Sequence, residues 1–132
     1  MADHGSDKER FLELGAVVIG MMDYLRALLL DLPIPVVIPE LDGDEVTGPV
    51  LDTVLALDRA RVLIEDEPIP GSHRLAYGHL ILEWFTAYEM LCLRQMAGPA
   101  PWRLDCAQHA VARFTTIAEM IENDELDDSD ES

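Results

Sequence analysis

The sequence predicts an all-α fold: a single-domain four-helix bundle with a Pro-rich extended connection between helices 1 and 2 and a disordered acidic C-terminal tail. Apolar residues recur at helical spacing in four segments, and Pro and Gly separate these segments. Hydrophobic residues make up 49% of the 132 residues, so the chain can build one core but has little room for a second. We therefore predict a bundle domain over residues 1–122 and an acidic disordered tail over residues 123–132.

The first predicted helix, from about Asp7 to about Leu30, is apolar around most of its circumference. Its uncharged run over residues 14–22 ends at Asp23, far short of the ~18 to 20 residues that span a bilayer. A helix this apolar buries its second face inside a bundle or against another subunit, so we also expect a homodimer. The predicted core side comprises Phe11, Leu14, Val18, Met21, Leu25 and Leu28 or Leu29.

The segment between the first two helices contains Pro33, Pro35 and Pro39. Proline removes the backbone donors that a helix or a central strand needs, so an extended, ordered connection is predicted over residues 32–48. Its apolar residues are expected to lie across the bundle surface, namely Val36, Val37 and Ile38.

The second helix is predicted to begin near Pro49, a residue suited to a first helical turn, with Thr47 or Gly48 as its cap. The acidic run and proline of residues 65–68 end it. Its predicted core face consists of Leu51, Val54, Leu55, Val62 and Leu63.

The third helix is predicted to begin after residues 70–71, with Ser72 as its cap, and to continue to Ala97, where Gly and Pro stop it. The fourth, from about Pro101 to Asn123, is the most clearly amphipathic. The third helix carries a wide apolar surface that includes Leu75, Ile81, Leu82, Trp84, Phe85, Tyr88, Leu91, Leu93 and Met96. The core face of the fourth comprises Leu104, Ala107, Val111, Phe114, Ala118 and Ile121.

Cys92 and Cys106 lie in apolar helical patterns and lack C-x-x-C spacing, which predicts reduced, buried thiols. The first ten residues lack the basic start and the small-residue cleavage site of a secretory signal. We expect a cytoplasmic protein.

The charge balance is strongly acidic, with 26 Asp and Glu against nine Lys and Arg and a formal charge of −17. Binding to nucleic acid or anionic lipid depends on Lys and Arg, so direct contact with either is excluded, and no membrane association is expected. Fifteen of the acids lie in three segments, residues 40–45, 65–67 and 119–131. The predicted partner-binding acids are Glu40, Asp42, Asp44, Glu45, Glu65, Asp66, Glu67, Asp124, Glu125, Asp127 and Asp128.

An alternative site uses two acid–His pairs, each four residues apart on one helix. His79 and Glu83 share a face of the third helix, and Asp105 and His109 share a face of the fourth. Two facing helices could bring these two carboxylates and two imidazoles together as metal ligands. Helix-surface pairs at this spacing are also ordinary solvent-exposed partners, and the sequence leaves both interpretations open.

Two classes of function remain. The first is a non-enzymatic acidic helical module of inhibitor, immunity or adaptor type that docks on a basic protein, such as a nucleic-acid-binding protein whose phosphate site the carboxylates occupy. Acidic helical DNA mimics are similar in size and charge. The second is a bundle that binds a metal or small ligand between helices 3 and 4.

We expect no catalytic residues and no cofactor, because no nucleophile motif or glycine-rich phosphate loop is present. The acidic clusters could also serve solubility alone.

Overall fold

The computed structural model describes residues 4–32, 37–38 and 48–126, and within these ranges it contains helices and no strand. The predicted all-α class is confirmed, and each helix lies where the apolar spacing placed it. The bounds are α1 (His4–Leu30), α2 (Gly48–Ile64), α3 (Gly71–Ala97) and α4 (Pro101–Glu122). The predictions for residues 33–36, 39–47 and 127–132 lie outside the described residues. None of the described helices is long and apolar enough to cross a membrane.

Helix α3 is the centre of the bundle. It packs most extensively against α4, with which it forms a hairpin, and it also packs against α1 and α2. Because α1 and α4 contact each other as well, three helices share a common core. Helix α2 makes its main contacts with α3.

Two contacts and one short connection fix the helix directions. Asp7 near the start of α1 binds Arg94 near the end of α3, so these two helices are antiparallel. Arg10 binds Asp105 in the second turn of α4, so α1 and α4 begin at the same end. It follows that α1 and α4 end where α3 begins. Helix α2 ends there too, since the short connection of residues 65–70 joins it to α3.

The core is organised around the fully buried Trp84 of α3. Its indole Nε1 donates a hydrogen bond of 2.9 Å to the backbone carbonyl oxygen of Val18, in the middle of α1. Its ring stacks on Tyr88 at 4.9 Å between centroids and meets Phe85 edge to face at 6.0 Å. A buried indole N–H needs a partner, and this one is supplied by the facing helix. The other largest fully buried residues are Met22, Leu25, Leu57, Ile64, Leu80, Ile81, Leu104 and Thr53.

A second contact joins α1 and α3 at the end of the pair where α1 begins and α3 ends. The Nε of Arg94 donates to Asp7 Oδ1 at 3.0 Å, and its guanidinium lies 4.7 Å from the centroid of the Phe11 ring. The two charged side chains are only 17% and 20% exposed. Asp7 lies in the first turn of α1 and Arg94 in the last turn of α3, so each charge also suits the partial charge of its helix end.

The predicted core face of α2 is wrong. Leu55 and Val62 are 58% and 50% exposed, and Val54 and Leu63 are only partly buried. The side chain of Leu51 lies outside the described residues. The face that packs inward is a row spaced four, three and four residues apart, namely Thr53, Leu57, Ala60 and Ile64. Two of these four are small or polar, which is why the hydrophobic pattern favoured the other side of the helix.

Two further expectations are corrected. Ser72 does not cap α3, because the backbone N–H of Arg74 already bonds to the carbonyl of Pro70 at 2.9 Å and the helix begins at Gly71.

The two thiols are free, but they are not buried: Cys92 is partly exposed and Cys106 is exposed. Cys106 precedes the buried Ala107, so it points away from the core.

The described part of the Pro-rich connection is anchored to α1. The Nε of Arg26 donates to the carbonyl oxygen of Ile38 at 3.0 Å, and the Ile38 side chain is buried in the core. Val37, its neighbour, is exposed. Among the described apolar residues of the connection, Ile38 therefore lies in the core, Leu32 is partly buried against it and Val37 is in solvent. Val36 lies outside the described residues.

Replacing Trp84 by Phe should lower the free energy of unfolding by about 2–3 kcal/mol, because the bond to Val18 is lost and ring volume is removed from a packed core. Trp102, which is 63% exposed, provides the matched control. Its replacement by Phe should change stability by no more than about 0.5 kcal/mol. Urea denaturation of both variants tests this, and equal losses would contradict the central role of Trp84.

Candidate functional site

Exposed carboxylates collect at the end of the bundle where α1, α2 and α4 end and α3 begins. One group of carboxylates belongs to the α2–α3 connection. A second group comprises the last residue of α4 and two acids that follow it, and Asp31 follows α1. The helix directions bring these segments to the same end. We call this set the acidic pole, and its members are Asp31, Glu65, Asp66, Glu67, Glu122, Asp124 and Glu125.

Part of the acidic pole is placed against the preference of the helix dipoles. The C-terminal end of a helix carries a partial negative charge and is stabilised by cations. Three helices end at the pole, and neither α1 nor α4 has a basic residue in its last turn. Helix α2 has Arg61, which pairs with Asp58 at 2.8 Å. The carboxylates at the ends of α1 and α4 therefore add unfavourable charge to these two helices. Glu65, Asp66 and Glu67 also precede the N-terminal end of α3, where negative charge is favourable.

Most basic side chains bind groups outside the acidic pole, and Arg74, at the start of α3, binds the backbone carbonyl oxygen of Glu67 within it. None of the seven carboxylates of the acidic pole forms an ion pair with another residue that the structure describes. The guanidinium groups bind other acids or backbone oxygens. The arginines that make these contacts in the described chain are Arg10, Arg26, Arg61, Arg74, Arg94, Arg103 and Arg113.

A tyrosine ties the acidic pole to the core. The hydroxyl of Tyr24 donates to Glu122 Oε2 at 3.0 Å, and its ring meets Phe114 edge to face. Burial, followed by this hydrogen bond to a carboxylate, raises the pKa of Tyr24 to about 12. Glu122 therefore has a fixed partner inside the bundle, while its neighbours in the pole face solvent.

The structure brings together two of the acidic segments that the sequence kept apart. In the α2–α3 connection, Glu65 and Asp66 are exposed and Glu67 is half-buried. After α4, Asp124 and Glu125 are exposed. The remaining predicted partner-binding acids lie outside the described residues, namely Glu40, Asp42, Asp44, Glu45, Asp127 and Asp128.

A groove of about 390 Å³ lies between α3 and α4. Of the four residues predicted as metal ligands, Glu83, Asp105 and His109 line it, whereas His79 is exposed outside it. The complete lining is Glu83, Thr86, Asp105, Cys106, His109, Ala110 and Arg113.

Arginines already bind both acids of the groove. Arg113 Nε lies 2.6 Å from Glu83 Oε2, and Arg10 Nη2 lies 2.8 Å from Asp105 Oδ1. Within the described ranges, no group of three or more His, Cys, Asp and Glu is placed to hold a metal ion. Sequence reasoning overlooked Arg113, although it follows His109 by four residues and so shares its face.

No family model matches the chain, and neither a curated protein nor a solved structure is significantly similar to it. The site therefore has to be interpreted from its own geometry.

Native tyrosines should resist ionisation at pH 10, their ordinary pKa. Burial is the largest cause of the raised pKa in all three, with values of about 12 for Tyr24 and Tyr88 and an upward shift for Tyr77. The folded state holds these protons more tightly than the unfolded state. Its stability is therefore intact below pH 10 and declines as the pH rises toward 12.

Ultraviolet absorbance of phenolate, measured during an alkaline titration, checks this expectation. The native protein should show little phenolate at pH 10, whereas the chain in denaturant should titrate around its ordinary pKa of 10. Identical curves for the two states would contradict the burial of these hydroxyls.

Proposed function

We propose that the protein is a non-enzymatic acidic helical binding module, of inhibitor, immunity or adaptor type, that docks its acidic pole on a basic surface of a partner protein. The supporting observation is the convergence of two acidic segments, distant in sequence, at one end of the bundle. Consistent with its two free cysteines, we propose a cytoplasmic location.

The electrostatics of the pole suit recognition better than stability. The carboxylates at the C-terminal ends of α1 and α4 oppose the dipoles of these helices, so the fold gains nothing from them. A partner whose Lys and Arg side chains lie opposite these carboxylates would relieve this repulsion on docking. Long-range attraction of this kind mainly speeds encounter and selects the partner, and it weakens as salt rises.

An apolar contact is available to hold the complex together. Leu30, the last residue of α1, is highly exposed beside Asp31 within the acidic pole. Residence time in protein complexes depends mainly on buried anchors surrounded by polar groups. Leu30 provides such an anchor within the charged surface that we propose.

Nucleic-acid-binding proteins are the partner class that fits this surface best. Their binding sites present Lys and Arg to phosphates, and Arg accepts a carboxylate in the same two-bond geometry. A row of carboxylates can therefore occupy a phosphate site and exclude nucleic acid from it.

Neutralising the pole should abolish partner capture. The variant Glu65→Gln, Asp66→Asn, Glu67→Gln removes three charges without changing side-chain shape, and affinity capture at low salt should then lose the basic proteins that the native chain retains. Mass spectrometry identifies the retained proteins. Salt, and a double-stranded DNA fragment added as a competitor, should both release them from the native chain.

The matched control removes three exposed carboxylates elsewhere, with Glu9→Gln, Glu13→Gln and Asp52→Asn. Its capture should equal that of the native protein. Recovery of no basic partner, of salt-insensitive partners only, or equal losses in both triple variants would overturn the proposal.

The groove between α3 and α4 favours a second candidate function, the binding of a small polar ligand. Its walls combine acids with the donors of His109 and Arg113, so it could accept both polar donors and acceptors. A metal ion would have to displace Arg113 from Glu83 first.

Native mass spectrometry of untagged protein tests this candidate. A ligand or metal adduct should be lost in His109→Ala and retained in His79→Ala, because His109 lines the groove and His79 does not. Elemental analysis distinguishes a metal from an organic ligand. An adduct insensitive to His109, or no adduct at all, would exclude a site in this groove.

We also propose that the chain forms a homodimer. Many large apolar side chains remain exposed in the described bundle, most densely along α3, where Leu75, Leu82, Leu93 and Met96 are 66%, 45%, 42% and 82% exposed. Large exposed apolar surfaces commonly mark interaction sites.

A further inference from the structure

The outer face of α3 carries a continuous row of exposed residues spaced alternately four and three apart. Four of them are the exposed apolar residues named above, and three are polar. Helix α3 packs against three other helices, yet this face stays open. We call this row the α3 seam, and its members are Leu75, His79, Leu82, Thr86, Glu89, Leu93 and Met96.

The spacing of the α3 seam is that of a coiled coil. A repeat of seven residues keeps one helix face toward a partner helix over its whole length. The seam extends from Leu75 to Met96, which corresponds to about 30 Å of helix. A partner that matches it must offer a second helix with the same repeat.

A second copy of this chain offers such a helix in antiparallel orientation. With a two-fold axis level with Trp84, Leu75 of one copy lies opposite Leu93 of the other, and Leu82 lies opposite Thr86. The same register places His79 opposite Glu89. A two-fold axis repeats every contact, so the polar pair forms twice. A polar pair within an apolar seam fixes the register.

Parallel pairing is disfavoured by the same residues, because it would place each Glu89 against its own copy. The charge distribution points the same way. The acidic pole lies where α3 begins, so parallel pairing would also set the two poles side by side. Antiparallel pairing places them at opposite ends of the dimer, which limits repulsion between chains of −17 each.

We therefore infer that the α3 seam is the homodimer interface, in which two α3 helices pair antiparallel about an axis level with Trp84. This inference rests on the proposed self-association and specifies its surface. It also leaves both acidic poles open to partners.

A charge exchange across the axis tests the register. His79→Glu should raise the dimer dissociation constant by at least about tenfold, because it sets two carboxylates against each other at both ends of the seam. Glu89→Lys alone should weaken the dimer by losing the favourable partner of His79. The double variant should return the constant to within about threefold of native, because a carboxylate then faces an ammonium group at both pairs. Sedimentation equilibrium at pH 7 measures all four chains, and far-UV circular dichroism confirms that each is folded.

Two leucines provide a matched pair for the apolar part of the seam. Leu75→Glu should weaken the dimer by at least about tenfold. Leu55→Glu should leave it unchanged, because Leu55 is similarly exposed but lies on the side of α2 opposite the residues packed on α3.

The outcomes separate this inference from the function on which it rests. A native particle of 14.7 kDa at all concentrations would overturn both the homodimer and the interface. A native dimer that tolerates Leu75→Glu would overturn the α3 seam and leave self-association standing. A double charge variant as weak as the single variants would overturn the antiparallel register.

Discussion

The direction of α1 relative to α3 is the constraint on which the other features of this bundle depend. Trp84 fixes it at the centre, by donating to the carbonyl of Val18, and the Asp7–Arg94 pair fixes it at the end. The central bond is fully buried and joins residues 66 positions apart, so it forms only when both helices are correctly placed. With α1 antiparallel to α3 and α4 returning alongside it, the C-terminal ends of three helices share one end of the molecule.

That geometry explains how acidic segments that are distant in the sequence come to lie at one end of the bundle. The arginines are engaged in contacts that hold the fold: Arg94 closes the α1–α3 pair, Arg10 binds α4 and Arg26 holds the connection. Such partly buried or non-local contacts contribute more to stability than solvent-exposed pairs. Because most cations are used in this way, none of the carboxylates of the acidic pole forms an ion pair with another described residue.

Much of the fold could be predicted from the sequence, because long helices with strong periodicity and Pro or Gly between them give clear local signals. The core faces of α1 and α4 were predictable for the same reason. The face of α2 was not, because Thr53 and Ala60 are buried by their position against α3 rather than by their hydrophobicity. The acidic segments were evident, but their meeting at one end depends on helix directions, which no local pattern encodes. The groove was predicted in part. The acid–His spacing indicated His109, but only the structure showed that Arg113 binds Glu83.

The exposed side of α3 follows from its central position. A helix that contacts three neighbours would be expected to be covered, but its neighbours pack around Trp84 and the adjoining buried residues, which leaves the opposite side open. Stability of the single chain does not require Leu75 or Met96 on that side, just as it does not require carboxylates at helix C-termini. Both features cost something in an isolated bundle, in exposed apolar surface and in charge repulsion. The associations that we propose, a second copy on the seam and a basic partner at each pole, would relieve both costs. A dimer of this kind would present its two acidic poles at opposite ends, so two sites on one partner, or two partners, could be bound at once.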